Sequence, residues 1–429
     1  MLSAIADMVL VRPAGIVRRV TPGRIEATGP AVTVGDLCRI GSAARLAEVV
    51  SVDADAITLV PLDDGNPVRL GDSIVAADGG GAARVGDAFA GRAIDALGQP
   101  IDGAGPIVAA TTLPIRGTPP GVLSRQVPHT VLPTGVRAID GLLTLCRGQR
   151  IGVFAASGIG KTSLIEQMLR GTPADRRILC LVGERGREVE GFWRSIAERS
   201  DRDRFTVVAA TSDDSAGLRA RSVATALCLA EYWRDRGEHV LLVIDSVTRL
   251  AMALREIGLA GGEPPTVRAY TPNVFAALPR VVERCGAVLG GGAITAVMTV
   301  LAESDEVDDP IVETMKSLLD GHIVLSRTLA ERGHFPAIDV TRSVSRQASR
   351  LMAPTHAVAA RAVAAQLGVY DEARVMIESG IYQAGTTPQI DVAIAQRPAV
   401  LAFLQQPEHE VVDFDAATRA LAALGAARD

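Results

Sequence analysis

Up to about residue 85, short Val- and Ile-rich runs are cut by turn signals at Pro22-Gly23, Gly29-Pro30 and Asp63-Asp64-Gly65-Asn66-Pro67. Runs of that length between such residues read as antiparallel strands and predict a small barrel or sandwich. Gly79-Gly80-Gly81 marks the exit from it. From about 86 to 350 the period changes. Ile151-Gly152-Val153-Phe154, Ile178 to Val182, Phe205 to Ala210 and Val240 to Ile244 read as buried strands. Between them, Lys161 to Arg170 carries Leu164, Ile165, Met168 and Leu169 on one helical face and is stopped by Gly171 and Pro173. Ser215 to Arg236 carries Val223, Leu227 and Ala230 as one stripe. Strand alternating with helix predicts a parallel sheet covered by helices. Beyond about 351 the chain is Ala-rich, and His356 to Gln366 and Asp415 to Leu424 are made of helix formers without strand runs. The expectation is an α/β chain in three parts: a β-domain over 1–85, a central domain over 86–350 and a helical domain over 351–429.

Composition narrows the class. Hydrophobic residues make up 48% of the 429 positions but aromatics only 3%, so the core is built from Val, Leu, Ile and Ala. With 44 basic against 49 acidic residues the net charge is −5, which gives no support for nonspecific nucleic-acid binding. Cys38, Cys146, Cys180, Cys228 and Cys285 are far apart, odd in number and without CxxC spacing, so they read as buried reduced thiols. No run of about 18 apolar residues predicts a spanning helix. Asp7 breaks the short apolar stretch at the N-terminus, which does not read as a signal peptide. The expectation is a soluble cytoplasmic protein, which leaves docking on a membrane complex open.

The candidate chemistry centres on Ala155-Ala156-Ser157-Gly158-Ile159-Gly160-Lys161-Thr162, which follows an apolar strand and opens a helix. That is the setting of a phosphate-binding loop, whose backbone N–H groups and helix N-terminus attract anions. Ser157, Gly158, Ile159, Gly160, Lys161 and Thr162 would hold the phosphates, Lys161 reaching the β and γ oxygens and Thr162 ligating Mg²⁺. Ala155 stands where GxxxxGK[ST] has its first glycine, which is tolerable at negative φ. Leu241-Leu242-Val243-Ile244-Asp245 is a buried strand ending in a carboxylate, about 80 residues on. In a parallel sheet that end faces the ligand crevice, so Asp245 is a second candidate for the metal. Glu184 follows the strand ending at Val182, and it sits beside the phosphate loop if the two strands are neighbours. As a general base it would orient the attacking water; as a solvated loop residue it would do nothing. The set points to a magnesium-dependent nucleoside-triphosphate hydrolase, with ATP as substrate.

Taken together these residues resemble the rotary-type ATPase superfamily and, within it, the ATPases of type III protein export, flagellar or injection-type. The resemblance is carried by the phosphate loop, by Gly183-Glu184-Arg185-Gly186-Arg187-Glu188-Val189 and by Asp245-Ser246-Val247-Thr248-Arg249. It extends through Thr134 to Asp140, Arg255 to Pro265, Leu319 to Arg327 and Pro336-Ala337-Ile338-Asp339. It implies a RecA-like P-loop nucleotide domain between an N-terminal β-barrel and a C-terminal helical domain, assembled as a homohexamer with nucleotide at subunit interfaces. It makes Glu184 the catalytic carboxylate, where non-catalytic rotary subunits have glutamine, and puts Arg185 beside it. Arg346 matches the arginine that reaches into a neighbouring subunit's site, and Phe335 an aromatic that stacks on adenine. Without the family, Arg346 reads as a surface ion pair and Phe335 as core. Tyr382 is a weaker candidate for the edge of the base site.

The resemblance further implies a stator-like regulator, a central stalk protein, export chaperones and their substrates as partners, with peripheral association to an inner-membrane export complex. Ala251-Met252-Ala253 leans towards the flagellar style and Ile139 to Thr144 towards injection systems, the loop Phe154 to Gly158 lies between the two, and Ala302-Glu303-Ser304-Asp305-Glu306 is an unusual version of a loop that in the family often contains more glycine. The alternative is the catalytic subunit of a rotary ATP synthase or ion pump. A hexameric RNA translocase would need stacking aromatics that the first 85 residues lack. A non-hydrolysing scaffold would not need Lys161, Glu184 and Asp245 together.

Overall fold

The computed structural model describes residues 14–63, 67–127, 129–302 and 309–426. Asp7, the tip Asp64-Gly65-Asn66 and the loop Glu303 to Glu306 lie outside them. The chain divides into two compact units.

The first unit comprises Met1–Pro119, Leu179–Tyr232 and Thr248–Arg284. Its N-terminal part is a closed barrel of β1 (Ala14–Thr21), β2 (Arg24–Thr28), β3 (Leu37–Ile40), β4 (Arg45–Val52), β5 (Ile57–Pro61) and β6 (Ser73–Ala76), in the order β1-β2-β5-β4-β3-β6. Every pairing in it is antiparallel. Closure resolves the choice between barrel and sandwich and leaves no free edge. Alternate residues such as Ile25, Ala27, Val49, Leu59 and Ile74 fill the interior, as the period-2 pattern requires. A ribbon of β7 (Ala82–Val85) and β9 (Thr111–Pro114) follows, with β8 (Arg92–Asp95) between them in the chain. β13 (Arg176–Glu184), β14 (Phe205–Thr211) and β8 are hydrogen-bonded in that order. This unit also holds α2 (Gly186–Ala197), α5 (Pro272–Glu283) and most of α3 (Ala216–Arg234) and α4 (Val247–Ala260). The predicted stripe of α3 is buried: Val223, Leu227 and Ala230 are each 1% exposed or less.

The second unit comprises Pro120–Ile178, Trp233–Val247 and Cys285–Asp429. Short β10 (Val131–Leu132) and β11 (Leu145–Cys146) pair at its start. Its sheet runs β19 (Ile338–Ser345), β18 (Gly321–Leu325), β12 (Arg150–Ala155), β17 (Ala293–Leu301), β15 (His239–Asp245), with two-residue β16 (Gly286–Ala287) on β17. The three inner pairings are parallel, and β19 is an antiparallel edge. The inner strands read as unbroken apolar runs because both faces are covered. α1 (Lys161–Gly171) buries Leu164, Ile165, Met168 and Leu169, the face expected of it. α6 (Pro310–Leu318) and α7 (Arg327–Glu331) connect the later strands, and short α8 (Ala348–Leu351) follows β19. Then come α9 (Pro354–Glu378), α10 (Pro388–Leu404) and α11 (Phe414–Ala426), packed on one another with Ala360, Val363, Phe403 and Leu421 buried. The helices forecast at 356–366 and 415–424 are therefore parts of α9 and α11. All five cysteines are buried free thiols. Burial pushes Cys38 up to about 11 and Cys146 up to about 12.

Candidate ATPase site

β12 carries the chain to the phosphate loop, and Ala155 is its last residue, buried and paired with Leu301 of β17. It is not among the residues with positive φ, so alanine is unstrained there. The loop then turns on two left-handed glycines, Gly158 at φ 80° and Gly160 at φ 90°, positions a Cβ would strain. Ile159 between them is buried, whereas Ser157, Gly158 and Thr162 are exposed. Gly160 is the N-cap of α1 and makes no side-chain cap, so the helix's first N–H groups are left for an anion.

Asp245 closes β15 at the same C-terminal end of the parallel strands and is 2% exposed. Its Oδ1 accepts from the Lys161 ammonium and, at 2.7 Å, from the Thr299 hydroxyl on neighbouring β17. One oxygen thus gathers the phosphate-loop lysine and a threonine from the next strand. A buried carboxylate needs such partners to stay charged. The Lys161 ammonium is a cation already seated at Asp245, and the hydroxyl and carboxylate oxygens of Thr162 and Asp245 are hard donors of the type Mg²⁺ takes.

The Phe335 ring lies against the loop: a Cβ on Gly160 would meet it at 3.5 Å. Phe335 is 47% exposed, so it is not the core residue that isolated reading would make it. Arg346 follows edge strand β19, with β18 between that strand and β12. It is exposed and donates to the Lys316 carbonyl at 3.2 Å. Tyr382 donates to the Thr387 carbonyl at 3.0 Å and to Asp391 at 2.9 Å, so its hydroxyl ties the turn between α9 and α10.

In the first unit, Glu184 is the last residue of β13 and 5% exposed. Arg249 of α4 faces it with the Nε–Nη2 edge of its guanidinium, Nε to Oε1 at 3.3 Å and Nη2 to Oε2 at 3.5 Å. Arg185 is the N-cap of α2 and points to solvent, its carbonyl accepting from Glu188 and Val189. One condition of the sequence reading is not met: both flanks of β12 are occupied, by β17 and β18, so the strand of Glu184 is not its neighbour. A strand has two edges, and both went to segments later in the chain, whose order sequence periodicity does not give.

Residues 135–345 match the model of the ATP synthase alpha/beta family, nucleotide-binding domain, and residues 352–423 that of the T3SS EscN ATPase C-terminal domain. The flagellum-specific ATP synthase of Bacillus subtilis (strain 168) is 41% identical over 415 residues, 96% of this chain and 94% of that protein. The type 3 secretion system ATPase of Xanthomonas euvesicatoria is 40% identical over 416 residues, 96% of this chain and 94% of that one. Among solved structures, the assembled ATPase EscN of the enteropathogenic E. coli type III secretion system superposes with a TM-score of 0.92 at 39% identity, over 96% of this chain and 100% of that chain.

The chain belongs to the type III export ATPases. It is a P-loop enzyme that hydrolyses ATP to energise protein export, and this reading stands over that of a rotary synthase subunit. The expected fold class holds, with its nucleotide domain, its six-stranded barrel and its helical C-terminal region. Sequence reasoning passed over two side chains that build this export ATPase's polar clusters. Arg249 had a signal, a cation in the first turn of the helix that follows Asp245. Thr299 had a fainter one, a hydroxyl inside the apolar run Ala293 to Leu301.

Proposed function

We propose that this ATPase binds ATP–Mg²⁺ on the loop Ser157 to Thr162 and hydrolyses it at sites completed between copies of the chain. The observation that supports the phosphate end is the junction of Lys161, Asp245 and Thr299 at the C-terminal ends of β12, β15 and β17. Lys161 carries charge to the β and γ oxygens, and the Gly158 and Gly160 turns aim backbone N–H groups at them. Thr162 and Asp245 would hold Mg²⁺, which when bound neutralises phosphate charge. Glu184 accepts hydrogen bonds from the attacking water and orients it, with Arg249 fixing the carboxylate and Arg185 contributing positive charge nearby. Phe335 stacks on the adenine ring.

Arg346 reaches a neighbouring copy's site, which its exposure at the sheet edge leaves it free to do. The assembly is a homohexamer. EscN, which has been solved assembled and with its central stalk EscO, superposes on this chain in that complex with a TM-score of 0.87 at 37% identity. By analogy a stalk protein is the partner of the ring, with a stator-like regulator on the N-terminal part and export chaperones with their substrates as the load. Turnover would release chaperones and unfold substrates at an inner-membrane complex, the ATPase itself docking peripherally from the cytoplasm. Among the described residues no helix is long and apolar enough to cross a membrane. Relatives of flagellar and of injection type match at nearly equal identity, so the proposal is the shared export role.

The test is complementation within the ring. The purified chain, with no second ATPase subunit, should form hexamers with a non-hydrolysable ATP analogue by light scattering. Arg346→Ala and Lys161→Ala should each be inactive alone, and mixing them should restore part of the activity. Specific activity that stays flat from monomer to full assembly would overturn the shared site.

A further inference from the structure

The segment after α10 is tied to three parts of the nucleotide side of the second unit. Gln406 is its centre and is 3% exposed. Its backbone N–H donates to the Phe335 carbonyl at 2.9 Å. Its side-chain amide donates to the Gly135 carbonyl at 2.7 Å and to the Glu410 carbonyl at 2.9 Å, while its Oε1 accepts from the Arg137 N–H at 2.9 Å. Both donors and the acceptor of a buried amide are therefore satisfied, each by backbone. The following residues continue the strap onto the phosphate-loop helix. Gln167 of α1 donates to the carbonyls of Pro407 at 3.3 Å and Glu410 at 3.2 Å, and Arg170 donates to that of Glu408 at 2.8 Å.

Resting on the proposed role of Phe335 as the base platform, we infer that Gln406 is a positioning residue for the base site. It joins the end of α10 to Phe335 and, through the strap, to α1. Four hydrogen bonds to main chain from three segments fix where the backbone of Phe335 lies, and with it the ring that rests on Gly160. Because α10 ends at Leu404 and Gln406 follows two residues later, a displacement of the C-terminal helices reaches the base platform through this amide. Base occupancy likewise restrains the strap, since coupling between two sites is reciprocal.

Two experiments on the full chain decide it. In steady-state ATPase assays, Gln406→Ala should raise KM for ATP about tenfold with kcat within about twofold. It should also lower the preference for ATP over CTP, because a loosened platform loses more of the larger base's stacking. Gln406→Glu keeps the acceptor for Arg137 but sets a buried carboxylate oxygen against the Gly135 and Glu410 carbonyls, so it should show the same shifts at least as strongly. Phe335→Ala is the control for the underlying reading. If it changes neither KM nor base preference, the platform reading fails and this inference with it. If it changes both and Gln406→Ala changes neither, Gln406 is only structural and the inference alone is overturned. The unsubstituted protein gives an independent measurement by hydrogen exchange. A non-hydrolysable ATP analogue should slow exchange of the Arg137 and Gln406 amides more than tripolyphosphate, which has no base. Equal protection by the two ligands would overturn the coupling.

Discussion

Gly183, one residue before Glu184, sits at φ 66°, and a Cβ added there would stand 3.1 Å from Cδ of Arg249 and 3.4 Å from Cδ of Arg219. Gly183→Ala therefore carries two penalties. The left-handed backbone costs an L-residue about 1–2 kcal/mol. The methyl group also pushes Arg249 by a few tenths of an ångström, which its ion-pair contact with Glu184 at 3.3 Å and its hydrogen bond at 3.5 Å, already at the limit of range, have no slack to absorb. A charge-assisted bond contributes about 1.5–3 kcal/mol, discounted to about 1 kcal/mol because Arg249 is one-third exposed. The expected outcome is a stability loss of about 2 kcal/mol and, with Glu184 loosened, a fall in kcat of about five- to tenfold at little-changed KM. Gly191 is the matched control: it lies on the exposed face of α2 with nothing within 4 Å of a notional Cβ. Gly191→Ala should stabilise the protein by about 1 kcal/mol through helix propensity and leave turnover alone. Urea unfolding midpoints and steady-state phosphate release measure both variants. If the two alanines behave alike, the close approach at Gly183 does not position the Glu184–Arg249 pair.

Lys161→Ala should abolish tight ATP binding and hydrolysis together, by equilibrium binding of a fluorescent nucleotide and by phosphate release; unchanged affinity and turnover would remove the phosphate-loop assignment. Glu184→Gln keeps shape but not charge, so the nucleotide should still bind while turnover drops by about two orders of magnitude or more, and near-normal turnover would rule out the water-orienting role. His239 gives a pH prediction: burial foremost, then the positive charge of Arg147, holds its imidazole down at about 4. The folded protein thus refuses a proton that the unfolded chain takes below about pH 6.5, so stability is full above that pH and is lost as pH falls towards 4. From pH 7 to pH 5 the loss should be about 2 kcal/mol in urea midpoints, and His239→Asn should flatten that slope; an unchanged slope would show that His239 is not the group responsible.

The parts of this molecule that sequence made legible are those in which one stretch of chain determines its own environment. β12, the two-glycine turn and α1 form a continuous strand–loop–helix, so the local pattern contains nearly the whole instruction for presenting Lys161 and Thr162. Asp245 was legible for the same reason, as a polar residue ending an apolar strand. The barrel was half legible: alternation showed strands, but closure in the order β1-β2-β5-β4-β3-β6 depends on pairing between distant segments. Glu184 was picked out by its motif, while the condition that its strand neighbour β12 is not met, because strand order is a property of the assembled sheet. Arg249, Thr299 and Gln406 escaped because each acts through a partner far away in the chain.

That difference bears on how an export ATPase can move. The phosphate loop is built locally, from the end of β12, two left-handed glycines and the start of α1, and its long-range tie is that of Lys161 to Asp245. What lies around it is held by long-range bonds to main chain: Thr134 and Gly135 donate to buried Asp140, and Gly135 and Arg137 bond to Gln406. Burial outweighs those donors and lifts the Asp140 carboxyl to about 6. The Thr134 hydroxyl is the third donor to that carboxyl. Gln406 and Gly135 share a hydrogen bond, so any shift of the 134–137 turn is felt at the strap after α10. A work-producing ATPase needs a stiff site for the phosphates and compliant connections away from it, since only a connection with more than one arrangement can convert binding energy into displacement. Here the phosphate site is written in adjacent residues, and its connection to the C-terminal helices in hydrogen bonds between segments more than two hundred residues apart.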